Sequence, residues 1–228
     1  MKTLKTSNII LLAFSLVIIL FVILKIVNST YHPNSNSNNA VYTELKVDNI
    51  QSFKYLVLDG YREVTYEVKT SNVFKTEVFS DPRNTDSCKI HFSNDTLYVN
   101  VVNNEGHTNC SEIPDVKICI PSEVRTIFVN KVHCNINDFQ QDTLNIQSII
   151  DYTTVNIEGS KIQTINYIGK DSKLALYHSD TIETLNFIGK GENSSLDLYD
   201  IVINKLRINK DSVRVMLSGE AIEYYMNK

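Results

Sequence analysis

Four cysteines, Cys88, Cys110, Cys119 and Cys134, and two histidines spaced near two of them offer the sharpest chemistry in this chain. Cys88-x-x-His91 and His107-x-x-Cys110 supply two thiols and two imidazoles at the spacing of a zinc site. Residues three apart on a strand point to opposite faces, so each pair converges only if one member lies in a loop. Disulfides suit the cysteines better, because all four come after a segment that reads as a membrane anchor and so fall on the oxidising side. Three connectivities are open. The preferred one joins Cys88 to Cys110, closing a hairpin and its loop, and Cys119 to Cys134, each bridge contributing about 2–4 kcal/mol. His32, His133 and His178 are isolated and read as exposed or internally satisfied side chains.

Carboxylates recur as Asp171, Glu192 and Asp211, but each stands beside Ser or Asn, which is turn chemistry rather than an acid–base pair. No Ser-His-Asp order, phosphate loop or dinucleotide fingerprint is present, so no catalytic, cofactor-binding or metal residue is assigned and the chain reads as non-enzymatic. Tyrosine is the residue type that points to recognition. Tyr177 and Tyr199 occupy matching places in two repeats and would form an exposed aromatic strip for a glycan or a peptide. The sequons at Asn94, Asn109 and Asn193 matter only in a eukaryotic secretory pathway.

The elements that must position these residues begin with an anchor. Residues 8–27 read NIILLAFSLVIILFVILKIV, with one charge, Lys25, near the end. About twenty apolar residues are enough to cross a hydrocarbon core. Lys2 and Lys5 precede the span and no basic cluster comes after it, which puts residues 1–7 in the cytoplasm and the remainder outside, periplasmic or extracellular. A cleaved signal peptide is the competing reading, with Val27 and Ser29 small enough for a cleavage site. Against it stand an apolar stretch longer than the usual ~7–15 residues and the lack of A-x-A. Residues 28–40, NSTYHPNSNSNNA, form a flexible linker.

The formal net charge of the 228-residue chain is -4, with both signs interspersed, so nothing here neutralises phosphates and nucleic acid is excluded as a partner. Asn and Ile are frequent, Trp is absent, and Gly and Pro number only 7 and 4, a bias toward β-branched strands separated by Asn and Asp turns. From Tyr42 onward apolar and polar residues alternate with the period of a half-buried strand. REVTYEVK (62–69), NVFKTEVF (72–79), CKIHF (88–92), TLYVNVV (96–102) and DVKICI (115–120) succeed one another, with a hairpin expected at Ser93-Asn94-Asp95. This strand-rich part, 41–122, should cap the repeats that occupy the C-terminal half.

Residues 123–228 repeat about every twenty residues. The units start at Thr143, Thr164, Thr184 and Lys205, and a degenerate copy starts at Thr126. Each has a second strand, carrying Val155 and Ile157, Leu174 and Leu176, Leu196 and Leu198, then Val213 and Val215. Each closes on a lone isoleucine, Ile162, Ile182, Ile203 or Ile222. No such unit buries its apolar face alone, so neighbours must stack, and the expectation is an all-β ectodomain built as a parallel β-helix-like solenoid. Ile146, Tyr167, Phe187 and Ile208 should form an inner ladder, and Asn145, Asn166 and Asn186 an outer one. A leucine-rich repeat fits Ile162, Ile165 and Tyr167, yet it needs a helical arm where a second strand is expected here.

FKYLVLDG (53–60), EVTYEVKTSNVFKTEVF (63–79), NDTLYVNV (94–101), VKICIPSEVRTIFV (116–129) and LNFIGKGENSSLDL (185–198) resemble the autotransporter adhesin, head GIN domain family of bacterial exported proteins (DUF2807) over roughly residues 50–218. The resemblance implies a compact β-helix-like fold outside the cytoplasm and brings no catalytic residues. Its usual Gly-Ser-Gly-Asp turns survive here only as fragments such as Gly159-Ser160 and Gly189-Lys190-Gly191. The expected function is an interaction or adhesion module of the cell envelope, held in the lipid bilayer through residues 8–27 and contacting an envelope protein or glycan. A glycan-binding or carbohydrate-active β-helix is the first alternative. An envelope sensor acting through a membrane partner is the second.

Overall fold

The structure, a computed structural model, describes residues 42–45, 52–62, 64–79, 87–102, 115–148, 150, 152–177, 180–209 and 213–226 of the chain. The chain divides into two units, Met1–Ala40 and Val41–Lys228. The first, with the expected anchor at 8–27 and the linker, lies outside the described residues; the second is the β-rich unit. Among the described residues no helix is long and apolar enough to cross a membrane.

Alternating sequence becomes strand almost throughout. In chain order the strands are β1 (Tyr42–Glu44), β2 (Tyr55–Asp59), β3 (Thr65–Thr70), β4 (Lys75–Phe79), β5 (Ser87–Ser93), β6 (Thr96–Val102), β7 (Val116–Ile120), β8 (Thr126–Asn130) and β9 (His133–Asn137). They continue as β10 (Gln140–Ser148), β11 (Thr154–Glu158), β12 (Lys161–Lys170), β13 (Lys173–Tyr177), β14 (Thr181–Lys190), β15 (Ser195–Tyr199), β16 (Lys205–Ile208) and β17 (Arg214–Ser218), and one short helix, α1 (Glu220–Met226), ends the series. The expected hairpin is β5–β6, antiparallel from Ser87↔Val102 to Ser93↔Thr96. Its turn residues Asn94 and Asp95 have φ of 48° and 60°, the left-handed pair that a two-residue turn requires.

Two mixed sheets result. One runs β1-β4-β7-β3-β9-β11-β13-β15-β17 and the other β16-β14-β12-β10-β8-β2-β6-β5. From β8 onward each passage through one sheet and then the other makes a rung, and successive rungs pair in parallel. The advance is 20 or 21 residues, as Asn145, Asn166 and Asn186 show. Second strands β13 and β15 stand where a leucine-rich repeat would carry its helical arm.

Alternation decides which side chains face the other sheet. Leu144, Ile165 and Leu185 stack in one buried column, Ile146, Tyr167 and Phe187 in the next, and Val155, Leu174 and Leu196 in a third. The Tyr167 and Phe187 rings lie 5.0 Å apart and 8° from parallel, and the buried Tyr167 hydroxyl meets Ser172 Oγ at 2.8 Å. Each such side chain, fully buried, contributes about 1.5–3 kcal/mol. The chain turns between sheets on left-handed residues. Asp138, Asp171 and Asp200 have positive φ, and each packs against a left-handed glycine of the next rung, Gly159, Gly191 and Gly219.

The N-terminal strands do more than cap the stack. β2 lies between β6 and β8 in one sheet, and β3 between β7 and β9 in the other, so the first rung is enclosed by two later ones. Antiparallel strands, β5 in one sheet and β4 with β1 in the other, finish that end. At the opposite end the repeat breaks. Ile222 does not close the unit that starts at Lys205: it lies in α1, 45 % exposed, because the chain leaves the sheet after Gly219. Ala221 and Tyr225 cover that end instead. The Tyr225 hydroxyl accepts from the Ile203 amide (3.0 Å) and donates to its carbonyl (2.7 Å).

Candidate functional site

Tyr177 and Tyr199 end β13 and β15, in parallel register and on the outward face. The fold brings the two rings together, 5.0 Å between centroids and 18° from parallel. Two residues before Tyr199 on the same face is Asp197, whose neighbour in register is Ala175. Asp197 is fully buried although it points away from the core, because longer side chains close over it. Lys173 Nζ reaches Asp197 Oδ2 at 2.5 Å, and the Tyr199 hydroxyl donates to the same oxygen at 3.1 Å. The ammonium also lies 5.9 Å from the centre of the Tyr199 ring. Among the described residues Asp197 Oδ1 has no hydrogen-bond partner.

The electrostatics derive from that packing. Burial works to lower the Lys173 pKa, but the hydrogen bond and charge of Asp197 outweigh it and the net shift is upward. Burial first, and the neighbouring Tyr199 phenol second, raise Tyr177. The two rings therefore stand over the Lys173–Asp197 ion pair. Such a group can stack and exchange hydrogen bonds with a ligand.

The carboxylates do not join this cluster. Asp171 has φ of 43° and its Oδ1 accepts the Asn193 amide at 3.0 Å, which is a turn-forming role. It precedes β13 while Tyr177 ends it, about 20 Å away along an extended strand. Glu192 is exposed in the matching turn, and Asp211 lies outside the described residues.

The Cys119–Cys134 pairing requires correction. Among the described residues Cys88, Cys119 and Cys134 are free thiols. Cys119 on β7 stands beside Lys69 of β3, while Cys134 on β9 stands beside Tyr66 of the same strand, so β3 separates them. Cys134 belongs to the buried core and Cys119 is only partly buried, which leaves the expected bridge far beyond disulfide reach. Cys110, the expected partner of Cys88, and His107 lie outside the described residues. Burial pushes Cys88 up to about 11 and Cys134 up to about 12, and it raises Cys119 too, so all three stay protonated. Cys88 packs against the core while His91 is exposed and stacks on Tyr98, at 4.5 Å between ring centroids. Among the described residues no group of three or more His, Cys, Asp or Glu is placed to hold a metal ion.

A second aromatic cluster went unseen in the sequence. On the outward face of the other sheet, parallel register sets Tyr55 and Val57 beside Thr96 and Tyr98 on one side and Thr126 and Phe128 on the other. Tyr55 is 40 % exposed, and its ring lies 6.5 Å from that of Phe128. With Thr96 and Asn130 these residues line a basin of about 410 Å³. The members come from segments separated by dozens of residues, so only the rung order could have revealed them.

No family model matches the chain, that of the head GIN domain family included, and no curated protein matches it. Among solved structures, a Clostridium sporogenes chain described as a "putative cell adhesion protein" is similar at 7 % identity, over 78 % of this chain and 92 % of that one, with a TM-score of 0.31. So faint a likeness carries no functional weight.

Proposed function

We propose that this chain is a non-enzymatic, membrane-anchored protein of the cell envelope, in which a β-solenoid presents recognition surfaces to another envelope component. Residues 8–27 serve as the anchor, with the N-terminus cytoplasmic and the ectodomain on the far side of the bilayer. The observation that carries the reading is the Tyr177–Tyr199 stack. Two half-buried phenol rings are fixed in one orientation by parallel strands and a buried ion pair. Aromatic side chains held this way offer contact area and hydrogen bonds at little cost in conformational entropy, as binding surfaces require.

The test uses the full chain in its native membranes. Carbonate extraction should leave it in the pellet. A photo-crosslinking residue at position 177 or 199 should capture a discrete envelope partner, and the same residue at exposed position 163 should not. Equal labelling at all three positions, or release of the chain by carbonate, would refute the proposal.

A further inference from the structure

β16 ends its sheet: β14 pairs with it on one side, and among the described residues no strand pairs with it on the other. Asn209 donates its amide to the Phe187 carbonyl of β14 at 2.9 Å. Backbone groups alternate sides along a parallel strand, so Lys205 and Arg207 also turn theirs toward β14. Leu206 and Ile208 then turn two N–H and two C=O groups to the open edge, the position of a further strand. The core loses its cover at the same place. Leu185 and Phe187 are 0 % and 1 % exposed, whereas Leu206 and Ile208, next in the same columns, are only partly buried. α1 packs against β17 in the other sheet, and its Tyr225 helps to line a groove of about 790 Å³ with Leu206, Arg207 and Ile208.

These groups define the occupant. The free donors and acceptors recur every second residue, roughly 6–7 Å apart along the strand, which is the spacing of another extended backbone. Partly uncovered aliphatic side chains on the inner face ask that strand for apolar residues at alternate positions. On the outer face Lys205 and Arg207 are exposed. Lys205 holds Glu183 of the preceding rung at 3.4 Å, while Arg207 forms no ion pair among the described residues.

The two cations also bear on whose strand it is. Antiparallel pairing of β16 with β16 of a second copy, apolar side chains kept inward, sets lysine or arginine of one copy directly opposite lysine or arginine of the other, which is destabilising. Head-to-tail stacking onto β5, the edge at the far end of the same sheet, offers Ser87, Lys89, His91 and Ser93 on the facing row, with no carboxylate among them. Charges of this kind keep an edge from pairing with its own copies. They leave it open to a strand that carries acids.

We propose that β16 is a docking edge for an extended segment of a partner protein in which apolar and acidic residues alternate. The apolar residues continue the Leu185–Leu206 and Phe187–Ile208 columns, the acidic ones face Lys205 and Arg207, and the backbone pairs with Leu206 and Ile208. Such strand addition takes its affinity from main-chain hydrogen bonds and its specificity from alternate side chains. The surface is independent of the Tyr177–Tyr199 face, which belongs to the other sheet.

The experiment titrates the full chain in lipid nanodiscs with the peptide acetyl-Gly-Glu-Val-Glu-Val-Glu-Gly-amide, and with the same peptide carrying Lys in place of Glu. The acidic peptide should bind saturably below about 1 mM, and the basic one at least about fivefold more weakly. Arg207→Glu, an exposed change with no expected effect on melting, should reverse that order. Ile208→Pro removes an edge-facing N–H without touching the ladder to β14 and should abolish binding; should it fail to fold, two further peptides replace it. They are the acidic peptide N-methylated at its valines or at its glutamates, and one of the two should lose binding. Tyr177→Ser/Tyr199→Ser should bind the acidic peptide like wild type, which keeps this result separate from that of the envelope-partner crosslink. No saturable binding, equal binding of acidic and basic peptides, equal binding of both methylated forms and the parent, or loss in the Tyr177/Tyr199 variant but not in Arg207→Glu overturns the proposal. So does a dimer in sedimentation velocity that Ile208→Pro dissolves, since the edge would then take a second copy.

Discussion

Asn166 donates from Nδ2 to Asn145 Oδ1 of the preceding rung at 2.9 Å, and its own Oδ1 accepts from Asn186 at 2.7 Å. Side chains on the outer face thus repeat the backbone pattern beneath them, and the row continues to the Arg125 carbonyl, which accepts from Asn145 at 3.1 Å. Replacing Asn166 by Ala removes two bonds and leaves a donor and an acceptor half-covered, at an expected cost of about 1–2 kcal/mol. Asn186→Ala removes one bond and should cost about half as much. Urea unfolding of the two variants checks the order.

Gly191 has φ of +83°, and a Cβ placed there would run into the Asp171 carboxylate of the rung before. Gly191→Ala adds left-handed strain to that clash and should lower stability by at least about 1–2 kcal/mol. In Gly191→Ala/Asp171→Gly the clash is gone, and a partial recovery of the melting temperature is expected. Equal melting of the single and double variants would show that the corner is not tightly packed.

Lys173 is the only cation bonded to Asp197 among the described residues, and the carboxylate is fully buried. Lys173→Met leaves that charge without its partner. A fully buried pair broken in this way costs about 3–5 kcal/mol; with the lysine side chain 35 % exposed, about 2 kcal/mol is the discounted expectation. Asp197→Asn keeps an acceptor for Lys173 and Tyr199 and should cost less than Lys173→Met. Combining the two changes should restore part of the loss in a double-mutant cycle.

The buried thiols and Lys173 push stability in the same direction with pH. All have folded pKa values above their unfolded ones, so what they contribute is intact below the unfolded value and is lost as pH climbs toward the folded one. For the thiols the window opens near pH ~8.5 and extends to about 11 for Cys88 and about 12 for Cys134. Lys173 adds its share above pH ~10.4. Thermal unfolding should therefore move to lower temperature as pH rises from mildly alkaline values, and Cys134→Val should flatten the early part of that slope. Alkylation at neutral pH should label Cys134 only once the protein is unfolded.

The period was legible because Ile146, Tyr167 and Phe187 recur in step with Asn145, Asn166 and Asn186, and a buried column and a hydrogen-bonded row both need that regularity. The Tyr177–Tyr199 contact was legible for the same reason, each tyrosine ending the equivalent strand. Neighbours that are distant in sequence were not. Nothing local in FKYLVLDG announces that β2 pairs with β6 on one side and β8 on the other, so the Tyr55, Tyr98 and Phe128 cluster stayed hidden. The Cys119–Cys134 pairing failed on the same ground, since it assumed that strands close in sequence are adjacent, whereas β3 stands between them. Ile222 misled because an apolar residue in the right place carries no sign of whether the chain has already left the sheet.

The enclosure of β2 and β3 sets how the stack can be assembled. A solenoid whose rungs kept to chain order could grow from one end, each coil templating the next as it emerged. Here β6 and β7 lie on one side of β2–β3 and β8 and β9 on the other, so the rungs do not follow chain order. Pairing of β2 with β8 joins Tyr55 to Thr126, a loop-closure cost met before the regular coils have a template. From that cost the slow step of folding is expected among residues before β10, with the regular rungs adding rapidly behind it.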